Sequence, residues 1–201
     1  LVLYDQVGTY GSARGWWMLR AMGHQNVFVL SGGLPVWREQ GLATEAVDWP
    51  AVGQTADEST GDFVARLNSD LVRRAEEILA DDEDGRSKII DARSQARFDG
   101  TSPEPRAGLA SGHIPGSKCL PWQSVLDGHQ LKTSAELRAL FESTFGQNVE
   151  GRVTMTCGSG VTASILALAY EVAGCGDFAV YDGSWAEWGQ EGRGFPIAKA
   201  N

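Results

Sequence analysis

The sequence has only three cysteines, Cys119, Cys157 and Cys175, and no two of them form a CxxC pair. An odd count with that spacing argues against a disulfide scaffold or a zinc site, and makes a reducing cytoplasm the expected setting. Basic residues are also scarce, with 17 Lys and Arg against 26 Asp and Glu, a formal net charge of −9. Such a surface repels polyanions, so nucleic acid is not an expected partner, and an anionic substrate would need a local positive site. Long apolar runs are missing too. The longest candidate, Ile165–Tyr170, is ended by Glu171, far short of the roughly 20 residues of a membrane span. No signal-like segment is visible. The chain opens on Leu1, inside an apolar run, which reads as a chain whose true start lies further upstream.

Apolar residues make up 42% of the 201 positions, enough for a real core, and 25 Gly imply many tight turns. Leu1–Tyr4 reads as a buried strand, Ser12–Met22 as a helix ended by Gly23, and Val27–Leu30 as a second strand. Ser31-Gly-Gly33 then leads into a short helix through Trp37. Residues 42–61 lack periodicity. A helix is expected over Asp70–Ala80, a solvated acidic turn over Asp81–Asp84, a strand over Lys88–Asp91, then a proline-rich loop. Thr133 and Glu136 form a capping box for a helix to about Phe145. Arg152–Thr156, Thr162–Ala173, Phe178–Tyr181 and Gly183–Gln190 read as strand, helix, strand and short helix. Alternating strands and helices point to an α/β fold with an open, mostly parallel sheet and helices on both faces.

An internal repeat organises the chain. When Gly23–Gly41 is laid on Gly174–Gly192, Gly23 meets Gly174, Val29 meets Val180, Gly32 meets Gly183, Trp37 meets Trp188 and Gly41 meets Gly192. The element order matches as well. The second copy has a full upstream half and the first has none. We therefore expect the C-terminal half of one domain over residues 1–43, a linker over 44–69, and a complete homologous domain over 70–201. Trp37 and Trp188, equivalent in the repeat, read as core.

Thr156-Cys157-Gly-Ser-Gly-Val-Thr-Ala163 lies between a strand and a helix. Gly158 and Gly160 let the backbone curl so that successive N–H groups point inward, and the helix adds its positive end. An anionic sulfur is favoured in such a cradle, which makes Cys157 a candidate nucleophile. A phosphate-handling cysteine loop would also need an arginine six positions on. Here that position is Ala163, and no Arg or Lys lies between Gly158 and Ala173. Phosphoryl transfer lacks its clamp, whereas sulfur transfer needs none.

The loop, together with Gly112-His-Ile-Pro-Gly116, Asp91-Ala-Arg93 and Tyr181-Asp-Gly-Ser-Trp185, resembles the motifs of the tandem-domain rhodanese family. The small neutral pair Gly158 and Ser159 is similar to its mercaptopyruvate-using members rather than to the thiosulfate-preferring type. The resemblance implies that Cys157 carries sulfur as a persulfide and that Ser159 donates to the substrate ketone or relays a proton. Gly158, Gly160, Val161 and Thr162 would line the substrate cradle, and Arg97 and Arg106 would hold a carboxylate as a cationic fork. It implies a small-molecule sulfur donor, a thiol, thioredoxin or cyanide acceptor, and no cofactor or metal. His113, Asp91 and Arg93 read as bracing residues, and Cys119 and Cys175 as bystanders. Asp5 takes the place of Cys157 in the first copy, which would then lack a nucleophile. Family members also use an acidic residue from the first domain. The segment that would hold it is absent here and is expected to be clipped, disordered or supplied by a separate fragment or second chain.

Overall fold

The computed structural model describes residues 1–45, 61–83, 88–146 and 151–200. The first copy contains β1 (Val2–Leu3), α1 (Tyr10–Ala21), β2 (Phe28–Val29) and α2 (Gly33–Glu39). The second contains β3 (Val72–Arg73), α3 (Ala75–Glu83), β4 (Ile89–Asp91), α4 (Gln95–Phe98), β5 (Lys118–Cys119), the hairpin β6 (Leu126–Asp127) and β7 (Gln130–Leu131), α5 (Ser134–Phe145), β8 (Val153–Thr156), α6 (Val161–Ala173), β9 (Phe178–Tyr181) and α7 (Ser184–Trp188). Five strands form a parallel sheet in the order β3-β9-β8-β4-β5. β1 and β2 pair in parallel as a separate sheet.

The hydrophobic pattern explains the layers. The strands β4, β8 and β9 are buried at every position, as parallel strands covered on both faces are. One face packs against α1, α5 and α6, where Trp16, Trp17, Phe141, Leu166 and Tyr170 share a core. The other face packs against α3 and α7 through Ile78, Trp185 and Trp188. Helices therefore cover both faces, as expected. At the N-terminus of α5 the Thr133 hydroxyl accepts from the Glu136 amide and the Glu136 carboxylate accepts from the Thr133 amide, which completes the capping box.

The two copies are joined along α1 and α6. Trp16 stacks on Phe178 at 6.1 Å, and the Trp17 indole N–H donates to the Leu71 carbonyl at 2.9 Å. Most of the expected linker, residues 46–60, lies outside the described residues. Its end does not: the Arg66 and Asn68 amides donate to the Met22 and Ala21 carbonyls at the end of α1.

Three expectations are corrected. The helix expected from Asp70 starts at Ala75, because Val72 and Arg73 add an edge strand to β9. That helix then runs on to Glu83, through the acidic stretch expected to turn. Trp37 is only half-buried, unlike Trp188, which is 1% exposed. On the far side of β1 and β2, Val2 and Tyr4 line a groove with Leu34 and Trp37 of α2, and Val2, Tyr4 and Phe28 remain exposed.

Candidate active site

Strand β8 delivers Cys157 to the C-terminal edge of the sheet, and the loop Gly158–Gly160 turns the chain into α6. Gly160 makes the turn at φ 78°, a left-handed conformation that favours glycine. The Cys157 side chain is 2% exposed and forms the floor of a cleft of about 260 Å³. Its Sγ accepts from the Ser159 amide at 3.4 Å. The α6 N-terminus supplies a positive field at the same point. Among the described residues, the amides of Gly158, Val161 and Thr162 donate to no protein acceptor. An anion lying over Cys157 would therefore find open donors.

Ser184 holds this loop and was not singled out from the sequence. It is fully buried, and at φ 49° it is the one described non-glycine residue with positive φ. Its Oγ accepts from the Cys157 amide at 3.2 Å and the Gly160 amide at 3.0 Å, and donates to the Tyr181 carbonyl at 2.8 Å. A hydroxyl has one proton and two lone pairs, so its capacity is filled. The Cys157 sulfur, 4.0 Å away, is a second and more distant acceptor for that one proton. The signal for Ser184 lay in the repeat: its counterpart is Gly33, whose φ is 57°.

The expected site residues separate into two groups. Cys157, Gly158, Ser159, Val161, Thr162, Arg97 and Arg106 all line the cleft. Gly160 does not. Its amide is turned to Ser184 and its carbonyl accepts from the Ser164 hydroxyl, so it shapes the loop rather than meeting a substrate. The two arginines differ in their surroundings. Nε and Nη2 of Arg97 donate to the two carboxylate oxygens of Glu104, whose side chain is 1% exposed. Two of the five N–H donors of Arg97 are thus engaged, and the others have no protein acceptor among the described residues. Arg106 is exposed at the rim and forms no ion pair among the described residues.

Below the cleft lies a buried charge network. Arg93 donates to Asp91, Glu104 and the Gly112 carbonyl, and stacks over Trp185 at 4.2 Å. Burial alone would lower the Arg93 pKa, but Asp91 and Glu104 raise it above the ordinary value, so it stays charged. His113 stacks on Phe98 at 3.8 Å and its Nδ1 meets the Phe98 carbonyl, a bracing position outside the cleft. Burial, reinforced by Asp91 and Asp99, pushes the Cys119 thiol up to about 12. The first copy also reaches the cleft through Tyr10, which packs edge-on against Trp122 at 5.5 Å. Neither residue was expected there. Among the described residues no cluster of side chains could hold a metal, and no helix is long and apolar enough to cross a membrane.

Comparison with known proteins agrees with this architecture. A family model for the rhodanese-like domain matches residues 1–40 and 74–191. The chain is 42% identical over 205 residues to thiosulfate/3-mercaptopyruvate sulfurtransferase 2 of Arabidopsis thaliana, covering 94% of this chain and 59% of that protein. It is 38% identical over 193 residues to 3-mercaptopyruvate sulfurtransferase of Escherichia coli strain K12, covering 94% and 64%. It is 39% identical over 193 residues to thiosulfate sulfurtransferase of Bos taurus, covering 94% and 62%. The chain therefore spans about three fifths of the length of these relatives. Among solved structures, Tum1 of Saccharomyces cerevisiae superposes with a TM-score of 0.82 at 29% identity, over 100% of this chain and 69% of that one. SseA of Escherichia coli gives 0.74 at 34% identity, over 92% and 66%. With its strand–cysteine–helix loop, its repeated half-domain and a family match across both, the chain belongs to the rhodanese-like domain family.

Proposed function

We propose that this chain transfers sulfur from 3-mercaptopyruvate to a thiophilic acceptor through a persulfide on Cys157. The observation that carries this reading is the Cys157 cradle: a sulfur at a helix N-terminus, one amide already donating to it, and three further amides open above it. The Arabidopsis and Escherichia coli relatives named for this donor support it.

In the first half-reaction the Cys157 thiolate attacks the donor sulfur. The donor C–S bond breaks and its electron pair leaves as the enolate of pyruvate, which takes up a proton. The outer persulfide sulfur, anionic at neutral pH, then lies where the amides of Gly158, Val161 and Thr162 are free. Arg106 at the rim holds the donor carboxylate. The Ser159 hydroxyl, from a residue that lines the same cleft, donates to the departing ketone oxygen. In the second half-reaction an acceptor thiolate attacks the outer sulfur, takes it as its own persulfide and returns Cys157 as thiolate. A small thiol, thioredoxin or cyanide would each serve. Neither half-reaction needs a metal or redox cofactor.

The test is to mix the chain with 3-mercaptopyruvate and follow pyruvate release and intact mass. We expect one pyruvate per chain and a mass gain of one sulfur atom at Cys157, both lost in Cys157→Ser. Pyruvate release by the serine variant at the parent rate would overturn the mechanism. A faster reaction with thiosulfate would move the donor assignment to thiosulfate. Sulfur uptake from neither donor would leave a binding module.

A further inference from the structure

The catalytic loop is also held from behind, by a residue of the first copy. Arg14, on α1, forms an ion pair with Asp182 at 2.6 Å, and its Nη1 also donates to the Gly160 carbonyl at 3.4 Å. The guanidinium lies over the Trp17 ring at 4.7 Å, which fixes its direction. The pair rests directly on the loop. A Cβ on Gly160 would come within 2.6 Å of the Asp182 carboxylate and 2.8 Å of Arg14.

The location of Asp182 gives this contact a chemical meaning. It follows β9 and sits against the residue that caps α6. A carboxylate there is attracted by the same positive helix end that serves the Cys157 sulfur. Left alone, Asp182 would compete with an anionic sulfur for that field, and Arg14 neutralises it. We propose that Arg14 is a positioning residue for sulfur transfer, supplied by the first repeat copy to fix Gly160 and to cancel the charge of Asp182 behind the catalytic loop. The inference rests on the reading of Cys157 as the sulfur carrier.

The charge argument makes a prediction of sign that packing alone does not. The other charged groups facing Cys157 are Arg93, Arg97, Glu104 and Arg106, all on the cleft side, with Asp91 paired to Arg93, and none is altered by changes at the Arg14–Asp182 pair. Removing the cation leaves Asp182 anionic, and removing the anion leaves Arg14 cationic. The two changes should move the reactivity of Cys157 in opposite directions.

The experiment is the pH dependence of iodoacetamide alkylation of Cys157, alongside sulfur uptake from 3-mercaptopyruvate. We expect the alkylation midpoint of Arg14→Gln to rise by roughly half a pH unit and that of Asp182→Asn to fall by a similar amount, the size a part-exposed charge exerts. Arg14→Lys and the double variant Arg14→Gln/Asp182→Asn should return it towards the parent value. Midpoints that move in the same direction in both single variants, or do not move, overturn the proposal. Should Arg14→Gln fail to fold, Asp182→Asn alone decides by its sign. A parent chain that takes up no sulfur refutes the sulfur-carrier reading instead, and the two failures are thereby told apart.

Discussion

Substitution of Ser184 probes the loop with the fewest side effects on the cleft itself. In Ser184→Ala the Cys157 amide, the Gly160 amide and the Tyr181 carbonyl all lose a partner at once. A buried polar group left unpaired costs about 1–3 kcal/mol. Three such groups, partly relieved by water entering from the cleft, give roughly 3–5 kcal/mol. Backbone conformation adds a second, separable term. Alanine at φ 49° keeps the left-handed strain, whereas Ser184→Gly removes it and should recover about 1 kcal/mol. Urea unfolding of the parent and both variants reads these differences as midpoint shifts at constant slope. Sulfur uptake should fall by roughly a hundredfold in both variants, because the Cys157 amide no longer has an anchor and reacting atoms tolerate little displacement. A loss below about 1 kcal/mol in Ser184→Ala with unchanged uptake would refute the claim that this hydroxyl organises the loop.

Gly160→Ala should abolish sulfur uptake and destabilise by at least about 1–2 kcal/mol, since the residue is left-handed and the new methyl would meet the Arg14–Asp182 pair; thermal unfolding and uptake assays check both. Arg106→Ala should raise KM for 3-mercaptopyruvate about tenfold or more with little change in kcat, and Arg97→Ala should instead lower stability, because its partner Glu104 is buried. At Asp5, burial works against the charge, but hydrogen bonds from Ser12, Val7 and Gly11 outweigh it and hold the carboxyl below its ordinary value. Its stabilising contribution is therefore present above the unfolded pKa and lost as pH falls through the folded one. Asp5→Asn should accordingly flatten the acid limb of a stability profile. Cys119 has the opposite sign. Its thiol is raised from 9.0 to about 12, so its contribution is complete below pH 9 and lost between pH 9 and 12, and Cys119→Ala should reduce that alkaline loss.

What could be read from the sequence followed the strength of local signals. β9 was legible as a continuous apolar run, and α5 and α6 because their boundaries are marked: the capping box that starts α5 at Thr133, and the glycines Gly160 and Gly174 at the two ends of α6. β3 was not, because a two-residue edge strand carries no period, and its pairing with β9 is a tertiary fact. β5, β6 and β7 were hidden in the same way, being two residues each. Cys157 was visible because the glycines around it have a backbone reason to be there. The pairing of Arg97 with Glu104 was not, because a motif gives residue types at a spacing and not the direction of a guanidinium. Tyr10 and Trp122 escaped for a related reason: they converge on the cleft from opposite copies, and neither is part of a local pattern.

The two copies show how one backbone device serves different ends. In the second copy, Cys157 Sγ accepts from the amide two residues on, and its carbonyl accepts from the Trp185 amide at 2.9 Å. In the first, the Asp5 carboxylate accepts from the amide two residues on, Val7, and its carbonyl accepts from the Leu34 amide at 3.0 Å. The turn, the helix and the returning strand are shared. The difference lies in what fills the cradle. The Asp5 carboxylate reaches further than a thiol and takes the amides of Gly11 and Ser12 at 2.8 Å each, so the donors at the helix end are already satisfied. In the second copy Cys157 is too short to do this, and the amides of Val161 and Thr162 stay open for a second atom. A self-filled cradle anchors α1, the helix that carries Tyr10 to the cleft and Arg14 to the back of the loop. Under the proposed function, the unfilled cradle is the one that would accept an outer sulfur. The repeat thus puts one helix N-terminus to two uses: an anchor where its anion is built in, and open donors where, on the proposed reading, an anion must arrive.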